Sequence, residues 1–179
     1  VGSTLTRADN CDGSGMCVDN GTTDCAPYLC NAGGTACRTA CGSDADCAAT
    51  GYCDTGMSIC RPRQPNGTPC VVGNQCTSTL CVDLLCCNAA CGATCMSCAV
   101  PGMGGMCLNV PPGGTDPGTC TGTMACNGGG ACLRANGQAC TMPSQCASGS
   151  CTDNFCCESG CAGLCRACDI GVCGGLLGN

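Results

Sequence analysis

The chain contains no histidine, no lysine and no tryptophan, and only one phenylalanine, two tyrosines and one glutamate, Glu158. Without imidazole or ammonium groups it lacks the usual general bases and the usual Schiff-base nucleophile, so conventional acid–base or covalent enzyme chemistry is not expected. The same gap excludes metal or haem ligation through imidazole. Leu, Ile, Val and Phe together number 21 of 179 residues, about 12%. That is below the roughly 20% at which chains usually build an apolar core, so hydrophobic burial alone cannot offset the entropy of ordering this chain. No apolar run approaches the length of a membrane helix. The six basic residues are scattered arginines, Arg7, Arg38, Arg61, Arg63, Arg134 and Arg166, against eleven Asp and one Glu, a net charge of −6. Such a chain cannot neutralise a run of phosphates, which argues against nucleic acid and against anionic membrane surfaces as partners.

What the chain has instead is 30 cysteines and 30 glycines. An even cysteine count in a chain with no Cys-x-Cys and no lysine to offset thiolate charge reads as fifteen disulfides rather than as a metal–thiolate cluster. A reducing cytosol does not maintain that many bridges, so the expected location is extracellular or at a cell surface, with no cofactor. Val1 opens no signal-peptide pattern, and the chain reads as a processed product or a segment of one.

Shifted by 70 residues, the sequence matches itself without a gap. Both copies read G-x2-C-x5-C-x-S-x2-C-x-D-x2-CC-x3-C-x3-C-x2-C: Cys70, Cys76, Cys81, Cys86, Cys87, Cys91, Cys95 and Cys98 in one, Cys140, Cys146, Cys151, Cys156, Cys157, Cys161, Cys165 and Cys168 in the other. Gly67, Gln75, Ser78 and Asp83 recur as Gly137, Gln145, Ser148 and Asp153. Upstream, Cys11-x5-Cys17-x7-Cys25 has the spacing of Cys126-x5-Cys132-x7-Cys140, while the spacing from Cys25 to Cys60 differs. The organisation expected is an N-terminal extended segment (1–10), a first Cys-rich module (11–60), a linker (61–66), one full repeat (67–136) and a shorter second one (137–179).

The run CDGSGMC…CAPYLC…ACRTACGSDADCAATGYC, followed by NGTPC…QCTSTLCVDLLCCNAACGATCMSC, resembles the cysteine-rich repeats of large surface and secreted proteins of myxobacteria and related bacteria. The resemblance covers most of residues 11–173 and implies an exported bacterial protein, without implying a mechanism. Leu84-Leu85, where such turns favour Asp-Gly, is expected to mark a buried or paired apolar spot.

Intervals of two to nine residues between cysteines, filled with Gly, Pro, Asn, Asp, Ser and Thr, predict a small disulfide-rich fold. It should be mostly irregular, with short β-hairpins and at most single helical turns in an elongated tandem-repeat architecture. Three- and four-residue cysteine spacing places such turns near 87–98 and 157–168. In Cys86-Cys87 and Cys156-Cys157 the Cα atoms stand about 3.8 Å apart, too close to bond to each other, so each doublet should reach two different segments.

Several motifs have sharper readings that the residues do not sustain. Cys91-x3-Cys95-x2-Cys98 and Cys161-x3-Cys165-x2-Cys168 match iron–sulfur spacing, and Cys95-x2-Cys98 and Cys165-x2-Cys168 match redox dithiols. Both recur inside a cysteine-saturated repeat without the scaffold those roles need. Asp44, Asp46, Asp83 and Asp153 do not form a calcium loop, and Asp83 and Asp153 are expected to satisfy turn N–H groups. Met96, Met103, Met106 and Met124 are expected to fill gaps beside bridges, and Asn20 and Asn66 fit the glycosylation pattern.

The function expected is a non-enzymatic extracellular structural protein, a disulfide-stapled rod that associates with copies of itself into a filament, stalk or matrix, with Val1–Thr6 as a strand for insertion. The alternative is a binding module, either an adhesin or a knottin-like protease inhibitor, since Cys76-x4-Cys81-x4-Cys86-Cys87-x3-Cys91 is similar to inhibitor-knot spacing.

Overall fold

The computed structural model describes residues 2–7, 10–11, 17–18, 20–162 and 166–175. Cysteines spaced this closely leave room only for short elements, and among the described residues every sheet has two strands, all antiparallel. Strand β1 (Thr4–Thr6) pairs with β4 (Thr22–Asp24), enclosing the hairpin β2 (Asn10–Cys11) and β3 (Cys17–Val18). Then come β5 (Gly51–Asp54) with β6 (Ile59–Pro62), and β7 (Cys81–Val82) with β8 (Leu85–Cys86). They are followed by β9 (Met96–Ser97) with β10 (Leu108–Asn109), and β11 (Met124–Cys126) with β12 (Cys132–Arg134). The last pairs are β13 (Cys151–Thr152) with β14 (Phe155–Cys156), and β15 (Arg166–Asp169) with β16 (Val172–Gly175). Single 3₁₀ turns stand at Asp44–Asp46, Gly73–Gln75 and Pro143–Gln145.

The interior is sulfur. The largest fully buried side chains are all cysteines, and the buried clusters hold Cys41, Cys47, Cys53 and Cys60; Cys70, Cys76 and Cys86; or Cys140, Cys146 and Cys156. Among the described residues, only the cluster of Cys95, Cys120 and Cys126 contains a buried aliphatic, Val110, with Met124 against it. The chain exposes 10306 Å², about a third more than the roughly 7900 Å² of a compact monomer of this mass. Small clusters strung along a chain, rather than one shared core, account for the excess.

Three expectations from the sequence can be compared with the structure. The cysteine spacing at 87–98 does not wind a helical turn, because Cys91 and Cys95 have φ of 51° and 58° and the segment ends in β9. Their bridges run to different distant segments, Cys107 and Cys126. Cys161, with φ 49°, repeats this in the second copy. Thr4–Thr6 forms a strand as expected, paired along one side with β4 of the same chain. The stretch 61–66 is more than a tether. Arg61 and Pro62 belong to β6, the Arg63 N–H donates to the Thr50 carbonyl, and Gln64 pairs in parallel with Cys76.

Leu84 is the clearest local conflict. The two-residue turn joining β7 to β8 has φ of 53° at Asp83 and 62° at Leu84, and its copy has 53° at Asp153 and 65° at Asn154. Turns of this kind need both central residues left-handed, which suits Asp, Asn and Gly and penalises leucine. Leu84 is also 72% exposed, while Leu85 is half-buried and pairs with Val82, so the buried or paired spot expected at Leu84-Leu85 falls on Leu85. Leu84→Asn, the residue of the second copy, should therefore stabilise the hairpin by about 1 kcal/mol, read as slower amide exchange at Cys86 and Cys87.

Glycine is required where two backbones cross. A Cβ on Gly105 would stand 2.1 Å from the Gly67 nitrogen, and one on Gly171 would stand 2.6 Å from that of Gly137. The same crossing closes both copies although the loop from Cys168 to Cys173 is four residues shorter than that from Cys98 to Cys107.

Candidate functional site

The recurring structure is a four-cysteine staple in which the first sulfur bonds the third and the second bonds the fourth. One copy joins Cys70 to Cys81 and Cys76 to Cys86, and another, 70 residues on, joins Cys140 to Cys151 and Cys146 to Cys156. A third copy precedes them, Cys41 to Cys53 and Cys47 to Cys60. The sequence reading missed it, because its hairpin β5–β6 is longer and the cysteine intervals change. The signal that finds it is the residue before the second cysteine. Asp46, Gln75 and Gln145 each turn a side-chain oxygen back onto the N–H groups that open the 3₁₀ turn. Asp46 Oδ2 accepts from Gly42 N (2.8 Å) and Ser43 N (3.1 Å), Gln75 Oε1 from Val71 N (2.7 Å), and Gln145 Oε1 from Thr141 N (2.8 Å).

These N–H groups, with Arg38 2.9 Å away adding to them, hold the Asp46 carboxyl below its ordinary value of 3.8. A carboxyl depressed on folding stabilises the fold above the unfolded value, and that contribution fades as acid protonates it in the folded state. The amides of Gln75 and Gln145 do the same capping without titrating.

The staples at 70–86 and 140–156 hand over to the next segment through a doublet, whereas the staple at 41–60 ends on Cys60 alone. Cys86 returns to Cys76 while Cys87 goes forward to Cys98, and Cys156 returns to Cys146 while Cys157 goes to Cys168. Of the remaining cysteines expected as staples, Cys91 bonds Cys107, Cys95 bonds Cys126 and Cys161 bonds Cys173, while Cys165 lies outside the described residues. Cys120–Cys132 and Cys25–Cys37 complete the bridges among the described residues. The Cα pairs stand 5.1 Å (Cys25–Cys37) to 6.0 Å (Cys140–Cys151) apart, within the normal bridging range. Cys95 and Cys98 are thus not a redox pair, and Cys91, Cys95 and Cys98 each bond a different partner. The sulfur triads, such as Cys41, Cys47 and Cys60, contain bridged sulfurs rather than the thiolates a metal binds. The knot-like spacing from Cys76 to Cys91 is not wired as a knot, since Cys81 goes back to Cys70 and Cys87 and Cys91 go forward.

Carboxylates tie the segments together. Asp83 Oδ2 accepts from Ser97 Oγ (2.7 Å) and Cys98 N (2.8 Å), and Asp153 Oδ2 accepts from Cys168 N (3.0 Å). Both acids satisfy a backbone N–H of their own repeat, as expected, and that N–H lies about fifteen residues on. At the boundary of the first two staples, Asp44 Oδ1 accepts from Cys53 N (2.9 Å) and Asn74 Nδ2 (3.1 Å), with Arg63 3.8 Å from Oδ2. An open cleft of about 620 Å³ lies there, lined by Asp44, Tyr52, Asp54 and Asn74 among others. Asp54 is held by Arg61 at 2.8 Å. Its carboxylates are thus engaged by fixed donors.

The sequence reading also missed Asp116, 5% exposed, which accepts from Gly118 N (3.1 Å) and Thr119 Oγ (2.5 Å); Thr119 Oγ in turn accepts from Cys95 N (2.9 Å). Thr115-Asp116-Pro117-Gly118 carries only a turn signal. Met124 packs on sulfur as expected, whereas Met103 and Met106 are exposed. Asn66 lies exposed in a turn and Asn20 is half-buried.

Comparison with protein-family models, with curated protein sequences and with solved structures finds no match. The geometry is therefore the evidence: a disulfide-stabilised chain suited to an oxidising environment, in which no helix among the described residues is long and apolar enough to cross a membrane.

Proposed function

We propose that the chain is a non-enzymatic structural protein of the extracellular space or cell surface, a tandem array of disulfide staples that associates with copies of itself. The observation that carries this reading is the locality of the cross-links. Among the described residues every bridge spans 10 to 16 residues except Cys95–Cys126, which spans 31. An array whose units are closed mainly by their own covalent bonds lengthens without a growing core and resists proteolysis unit by unit.

Self-association is supported by the edges. A two-stranded sheet has outer backbone edges open to pairing; those of β8 and β14 are taken by residues 67–70 and 137–140, and β1 and β5 pair within named strands on one side only. Val71, Val72, Leu84, Met142 and Phe155 expose apolar surface beside the second and third staples. The likeness to exported bacterial cysteine-rich repeat proteins rests on the cysteine pattern of residues 11–173 alone. Sedimentation and electron microscopy of the oxidised protein across a concentration series test the reading. Concentration-dependent linear assemblies are the expected result, and a monomer at every concentration overturns self-association.

A further inference from the structure

Cys25, Cys30, Cys37 and Cys41 form an incomplete staple. Cys25–Cys37 is its first-to-third bridge. The second-to-fourth bridge would join Cys30 to Cys41, but Cys41 bonds Cys53 and opens the next staple. At two later points the doublets Cys86-Cys87 and Cys156-Cys157 supply one sulfur to close a staple and one to open the next bridge. Here a single cysteine stands where a doublet does, and Cys30 is left as a free thiol.

That thiol is 3% exposed and its Sγ lies 3.6 Å from the Sγ of Cys25. An antiparallel bridge sets Cys30 and Cys37 side by side. Cys37 itself is half-exposed, at the end of the exposed run 32–36.

We propose that Cys25, Cys30 and Cys37 are a three-sulfur exchange unit that carries a reactive thiol from the interior to the surface. Cys30 loses its proton to water and its thiolate attacks Cys25 Sγ. The Cys25–Cys30 bond forms as the Cys25–Cys37 bond breaks, and the electron pair leaves on Cys37 Sγ, which takes a proton from water. The step is redox-neutral and needs no external oxidant. Its direction follows from the contact: Cys30 touches Cys25, so Cys37 is the sulfur expelled. The exchanged form closes a span of 5 residues in place of 12. The structure holds the Cys25–Cys37 bond with Cys30 reduced, so that form is the resting one and the surface thiol is the minor species. Once at Cys37, the thiolate attacks a disulfide of another molecule and displaces one of its sulfurs. The chain thereby gains a covalent attachment point ahead of its first complete staple, whether or not it also assembles by noncovalent contacts.

The test exposes the native, oxidised full chain to oxidised glutathione in mildly alkaline buffer, followed by non-reducing peptide mapping with fragmentation. The expected product carries glutathione on Cys37 with Cys25 linked to Cys30, and Cys30→Ser loses that product while keeping Cys25–Cys37. Glutathione on Cys30 with Cys25–Cys37 intact overturns the proposal. So does a native chain left unmodified after the denatured chain has reacted fully, or an adduct on Cys37 that persists in Cys30→Ser. The unsubstituted chain decides between these outcomes on its own, so a variant that misfolds does not block the test.

Discussion

Complete reduction of the folded chain at neutral pH is expected to abolish its fold, with every protected amide exchanging at the unfolded rate. The reason is compositional before it is structural. Cysteine sulfur fills the interior, and the buried clusters would lose their defining contacts along with their bonds. Each bridge contributes roughly 2–4 kcal/mol by constraining the unfolded chain. The sum is not additive, yet a few bridges already match the 5–15 kcal/mol of a typical folded domain. What remains after reduction is two-stranded hairpins, which are marginal in water by themselves, and three partly exposed ion pairs, which contribute little. Hydrogen exchange by mass spectrometry, before and after a phosphine reductant, reads the effect directly. Native-like protection of the Cys126 or Cys156 amides in fully reduced chain would show that something other than sulfur cross-linking holds the structure.

The same dependence on sulfur explains which features were legible in the sequence. The 70-residue repeat predicted that two segments share one fold, and their matched bridges, 3₁₀ turns and left-handed Asp83 and Asp153 turns follow that register. The divergence of Cys86 from Cys87 was legible because Cα spacing alone forbids bonding within the doublet. Cysteine pairing beyond that was not, since intervals between cysteines do not encode which loops fold back. The staple at 41–60 stayed hidden because insertions in a hairpin change spacing without changing wiring. Cys91, Cys95 and Cys161 defeated the helical reading because a bridge can hold a non-glycine residue left-handed at a cost that periodicity does not register. The thiol of Cys30 was hidden behind an even cysteine count, and only the use of Cys41 by the following staple isolates it.

The second large effect should be local. Replacing Cys76 and Cys86 together by alanine removes one bridge of the middle staple without leaving an orphan thiol. The loss of about 2–4 kcal/mol should accelerate exchange at the Cys70 and Cys87 amides by roughly 30- to 700-fold, at 1.4 kcal/mol per tenfold. Those amides donate to the Leu84 and Leu80 carbonyls inside the same staple. The staple at 140–156 keeps its own two bridges and its own Gln145 cap, so its amides should exchange as before. The staple at 41–60 is the informative neighbour. It touches the middle one through the Asn74–Asp44 hydrogen bond and through Gln64, which pairs with Cys76 just beyond β6. A change there of less than about tenfold fits units that fold on their own bonds and couple weakly at their borders. Equal acceleration across all three staples would instead mean one cooperative body, and the tandem-array reading would fail with it. Because 10306 Å² of exposed surface leaves little shared interior through which such cooperativity could pass, the local outcome is the one the structure favours.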